Sequence, residues 1–68
     1  MADRSKQMKI SSGFTESELL VKINNFYIST SCKIIDGKVY NGKDVLLGEV
    51  ESKKVSGRTR FIFWQYLN

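Results

Sequence analysis

Three dipeptides in the second half of the chain, Asp36-Gly37, Asn41-Gly42 and Ser56-Gly57, limit its architecture more than any other feature. Each joins a polar residue suited to turns to one that has no Cβ, a combination suited to the positive φ angles of tight hairpin turns. The runs between them, residues 32–35, 38–40, 45–55 and 58–67, are rich in β-branched and aromatic side chains. This pattern predicts antiparallel strands joined by short turns. The first two turns lie so close together that at least one of them is expected to be a loop beside a very short strand. Gly48 interrupts the longest run and marks an expected bulge.

The preceding segment has a different period. In Phe14-Thr15-Glu16-Ser17-Glu18-Leu19, Thr15 suits an N-cap and Glu18 stands three residues on, the spacing of a capping box, with Phe14 and Leu19 placed as a hydrophobic staple. Glu16 and Glu18 put negative charge in the first turn, where the helix dipole favours it. Leu19, Ile23, Phe26 and Tyr27 recur at helical spacing. A helix over residues 16–25 follows, with Asn24-Asn25 as its left-handed exit. Residues 1–7 are polar and read as a flexible basic arm, with a short strand over residues 7–11 as the alternative for its end, and Ser12-Gly13 breaks the chain. The expected fold is one domain over residues 1–68, of α+β class: one short N-terminal helix packed on a small antiparallel sheet of three to four strands.

At 68 residues, such a domain sits near the lower limit of what a single core stabilises. The chain has one cysteine and no histidine, so an internal disulfide and a Cys/His zinc set are both excluded. Cys32 is expected to be a buried small hydrophobe, and no cofactor or metal is expected. No run approaches the roughly 18 to 20 apolar residues of a membrane span, and residues 1–9 lack a secretory signal's apolar segment. A reducing, cytoplasmic setting is the expectation. Oligomerisation remains as added support for a small core.

The last run is unusual because both of its faces are apolar. Phe61, Phe63 and Leu67 share one parity, and Ile62, Trp64 and Tyr66 share the other. Three explanations fit: a central strand in a barrel-like sheet, a dimer interface, or aromatics presented to a ligand. The small size of the core favours dimerisation among them.

The absence of histidine removes the usual proton shuttle and the Ser-His and Cys-His pairs, so an enzyme is not expected. Glu49 and Glu51 alternate on one strand face and read as solvated charges beside basic neighbours. Gly37, Gly42 and Gly48 match neither a dinucleotide fingerprint nor a phosphate-binding loop. The net charge of +4 equals the charge of residues 52–60 alone, where Lys53, Lys54, Arg58 and Arg60 stand with no acid. A hairpin carrying them could contact phosphates, and Trp64 and Tyr66 could stack bases, since Arg58, Arg60, Ile62, Trp64 and Tyr66 share one parity. The chain is thus expected to be a small non-enzymatic nucleic-acid-binding protein, with DNA and RNA undistinguished. Against this, Lys and Arg at a hairpin tip also serve solubility and guard against edge aggregation. The RNP, GxxG and zinc-finger signatures are absent. The alternative is a protein-interaction module, a small regulator or inhibitor that docks through its aromatic C-terminal strand. Phe61, Ile62, Phe63 and Trp64 would then form the interface, with a homodimer or another protein as partner. The Asn-, Lys- and Ile-rich, proline-free composition suits a phage or mobile element.

Overall fold

The computed structural model describes residues 6–67. Two of the three glycine dipeptides form the expected turns: Asp36 and Gly37 have φ of 53° and 74°, and Ser56 and Gly57 have 53° and 79°. Positive φ at both central positions matches the right-handed twist of the strands they join. The first turn links β2 (Lys33–Ile35) to β3 (Lys38–Tyr40), and the second links β4 (Leu46–Val55) to β5 (Arg58–Tyr66). Asn41-Gly42 does something else. Its Asn41 Oδ1 accepts hydrogen bonds from the N–H groups of Lys43 (2.8 Å) and Val45 (3.0 Å), and the positive φ, 63°, falls on Asp44. An Asn side chain that satisfies the backbone ahead of it makes a wider loop rather than a two-residue turn.

A fifth strand lies outside the expected count. β1 (Gln7–Gly13) pairs antiparallel with β5, from Gln7 opposite Tyr66 to Gly13 opposite Phe61. Ser12-Gly13, read from sequence as a break, thus ends a strand, and Gln7, assigned to the flexible arm, is buried within it. The remainder of that arm, residues 1–5, lies outside the described residues. The sheet order is β1-β5-β4-β3-β2, antiparallel throughout. Alternation in β1 is interrupted by a register shift between Lys9 and Ser11, and Ile10 packs against the core. The short strand offered as the alternative over residues 7–11 is thus present and runs two residues further, past this irregularity.

α1 (Glu16–Tyr27) runs two residues past its expected end. The Thr15 hydroxyl accepts from the Glu18 N–H at 3.0 Å, as a capping box requires. Tyr27 holds the helix on, because its ring packs edge-to-face against Phe63 with centroids 6.2 Å apart. Phe26, expected on the buried stripe, is 52% exposed. The exit falls on Ile28, at φ 53° and ψ 54°, with Ser29 N–H donating to Asn24 O at 2.8 Å. Asn24, expected at the exit, instead accepts from the Cys32 N–H through its side chain at 3.0 Å.

One face of the sheet is packed against α1. Leu19, Ile23, Cys32, Val39 and Phe63 are buried together, and Ile10, Leu20, Tyr27, Ile34, Leu47, Val50 and Phe61 pack around them. Gly48 permits a close approach between β4 and β5: a Cβ there would lie 2.1 Å from the Trp64 carbonyl oxygen and 2.8 Å from a Phe63 ring carbon. The expected bulge is beside it, where Val39 pairs with Gly48 but Tyr40 pairs with Leu46. Among the described residues, no helix is long and apolar enough to cross a membrane.

Candidate nucleic-acid interface

β5 is an interior strand with β1 on one side and β4 on the other, and α1 covers only one of its two apolar faces. Phe63, expected among interface residues, is fully buried in the chain's own core, and Phe61 packs against it. The other parity faces away from α1. Ile62 on that far face is only 4% exposed, whereas Trp64 and Tyr66 are partly exposed.

The unbroken β4–β5 register sets the company these rings keep. It places Lys53 opposite Arg60, Val55 opposite Arg58, Glu51 opposite Ile62 and Glu49 opposite Trp64. Residues directly opposite one another share a face, so Lys53, Arg58, Arg60, Trp64 and Tyr66 are on one face, with the cations towards the hairpin end and the two aromatics towards the other end of β5. Lys54 does not join them, because it pairs with Thr59 on the opposite parity. The expected set of six therefore divides, as consecutive Lys53 and Lys54 on one strand require, and strand pairing decides which of the two shares a face with β5's aromatics. Two cations missed at the sequence level join the far face from the neighbouring strands: Lys9 opposite Trp64 and Lys38 opposite Glu49.

Glu49 has a basic neighbour in Lys38, and both Glu49 and Glu51 also accept hydrogen bonds from the aromatic tips. The Trp64 indole N–H donates to Glu51 Oε1 at 2.8 Å, and the Tyr66 hydroxyl donates to Glu49 Oε2 at 3.1 Å. Both bonds run diagonally across the β4–β5 pair, within reach of long side chains. They fix the polar tips of the two rings towards β4. The centre of the far face is thus aromatic with two carboxylates, and cations stand around it: Lys9, Lys38, Lys53, Arg58 and Arg60. On β2, Lys33 is matched by the neighbouring Asp44 in a salt bridge.

At the hairpin end, Phe14 has a role its position before the helix did not disclose. The guanidinium carbon of Arg58 lies 4.1 Å from the centroid of the Phe14 ring, and that of Arg60 lies 5.1 Å away. Beside them Glu18 accepts from the Phe14 N–H at 3.2 Å and pairs with Lys22 at 3.4 Å. The Phe14 N–H bond, then Lys22, and last Arg58 hold its carboxyl below the usual range. On the helix side, burial pushes the Tyr27 phenol up.

A cleft between the residue 29–32 loop and the Asn41 loop is lined by Tyr27, Ser31, Cys32, Asn41 and Lys43 among others. Among the described residues, no group of three or more His, Cys, Asp or Glu is placed to hold a metal ion. Cys32 is buried. No protein-family model, curated protein or solved structure matches the chain.

Proposed function

We propose that the far face of the sheet binds single-stranded nucleic acid. The observation that carries this reading is the β4–β5 register, which groups the partly exposed Trp64 and Tyr66 with Lys53, Arg58 and Arg60. Unpaired bases have exposed π-faces that stack on aromatic rings, and their phosphates need cations at the margins of such a platform. An aromatic centre with surrounding lysines and arginines offers both. Glu49 and Glu51 work against phosphate over the centre, so the backbone of a bound strand would pass along the cationic margin. The hydrogen bonds from Trp64 and Tyr66 to these carboxylates orient the rings before a ligand arrives.

The test is a fluorescence-anisotropy titration of a labelled single-stranded oligonucleotide at two salt concentrations, with Trp64 emission recorded in parallel and mass followed by light scattering. Trp64 is the only tryptophan, so its quenching reports directly on the face. Saturable binding with quenching is expected, and Trp64→Ala should weaken it by about 1 to 3 kcal/mol. Lys53→Gln should flatten the log-affinity against log-salt slope by about 0.7, the value for one phosphate contact on a single strand. Lys54→Gln, on the other face, should change it less. Absence of binding at low salt would overturn the reading, and a protein partner for the same face would replace it.

A further inference from the structure

We propose that Arg58 and Arg60, stacked on Phe14, form a binding site for a single phosphate group. The proposal deepens the reading above and rests on it for the source of the phosphate, which would belong to the strand whose bases meet Trp64 and Tyr66. The two arginines stand two residues apart on one strand face, roughly 7 Å along the backbone. Like charges at that spacing repel, yet both guanidiniums lie over the same ring, at 4.1 and 5.1 Å from its centroid.

No carboxylate among the described residues forms a salt bridge with either arginine. Glu18 is near enough for Arg58 to lower its pKa, but its oxygens serve the Phe14 N–H and Lys22. Arg60 Nε is buried and has no hydrogen-bond acceptor. Among the described residues, the two cations over Phe14 are therefore held in place without a salt-bridge partner of their own. A guanidinium stacked on an aromatic face keeps its N–H edge for an acceptor, and its planar fork matches two oxygens of a phosphate. Phe14 limits the side-chain freedom that long arginines would otherwise lose on binding. A purely structural role, pinning the hairpin to the helix start, would need only one of the two charges and would leave anion affinity no higher than at any surface lysine.

Inorganic phosphate is the probe, titrated into ¹⁵N-labelled protein at constant ionic strength while the arginine Nε–H signals are followed by NMR. The signals of Arg58 and Arg60 should shift together along one saturable curve. Arg60→Lys, which keeps the charge and loses the fork, should weaken binding at least fivefold, and Phe14→Leu should do the same. Phe14→Tyr keeps the ring and should bind as the parent does, so a folding defect in Phe14→Leu leaves the comparison intact. Glu18→Gln keeps an oxygen for the cap and removes the competing charge, and should strengthen binding about twofold. Shifts that never saturate, or an Arg60→Lys variant that binds unchanged, would overturn the site.

The same variants titrated with the labelled oligonucleotide separate the two readings. Oligonucleotide binding that quenches Trp64 but ignores Arg60→Lys overturns the arginine pair and leaves the sheet face standing. Phosphate binding that depends on Arg60, without oligonucleotide binding, supports the pair and overturns its assignment to nucleic acid.

Discussion

Ile28 holds the left-handed conformation with 95% of its surface in solvent, so its side chain adds no packing to offset the strain. A β-branched residue there costs about 1 to 2 kcal/mol relative to glycine's easy access to the same region. Glycine also loses more freedom on folding, which takes back part of the gain. Ile28→Gly is therefore expected to stabilise the domain by about 0.5 to 1 kcal/mol, read from the urea midpoint. A loss of stability would show that the isoleucine side chain has a partner in solution. Gly48 shows the opposite situation, since the obstacle there is space rather than conformation. With the Trp64 carbonyl 2.1 Å from where a methyl group would sit, Gly48→Ala must push β4 and β5 apart. A destabilisation of about 1 to 3 kcal/mol is expected, and an unchanged midpoint would mean that the strands are less tightly apposed.

The elements themselves differ in how openly the sequence declares them. The helix start was legible because capping is local: Thr15 and Glu18 meet across three residues, and Thr15→Ala should cost about 0.5 to 2 kcal/mol in denaturant unfolding. Even so, Glu18 bonds the Phe14 N–H, one residue ahead of the group a standard capping box would satisfy. The helix end was not legible, because Tyr27 continues the helix through its contact with Phe63, a residue far along the chain. Asp36-Gly37 and Ser56-Gly57 gave their hairpins correctly since a turn's φ requirement is also local. β1 was legible only as an alternative over residues 7–11, and its full extent to Gly13 was not, because its partner is at the other end of the chain and its register shifts around Ile10. The candidate site follows the same rule. The shared parity of Arg58, Arg60, Trp64 and Tyr66 belongs to one strand and could be read directly. Which of Lys53 and Lys54 shares that face, the partners of Glu49 and Glu51, and the place of Phe14 depend on tertiary pairing.

For the molecule as a whole, two groups give the stability curve opposite limbs. Glu18 titrates below the usual 4.5, so the folded state favours its carboxylate. Its contribution is complete above pH 4.5 and is lost as the pH falls through the folded value. Tyr27 titrates above the usual 10.0, so the folded state favours the neutral phenol. That contribution is complete below pH 10 and is lost as the pH rises through the folded value. Chemical denaturation across pH 2 to 12 should show a plateau between the two limbs, with Glu18→Gln shallower on the acid side and Tyr27→Phe shallower on the alkaline side. Limbs that stay unchanged in both variants would assign the pH dependence to other groups.

The β1–β5 pairing carries a topological consequence. The Leu67 N–H donates to the Lys6 carbonyl at 2.8 Å, so the two ends of the described chain lie side by side. Chain order and spatial order are then separable: a short linker could join these ends, and the circle could be reopened at Ser56-Gly57, where a Cβ on Gly57 would meet nothing within 4 Å. Such a circular permutant would keep all five strands as neighbours while converting the β4–β5 hairpin into two free chain ends. The sheet would be held by the same ladders, and the arginines of β5 would begin the chain instead of turning a corner within it.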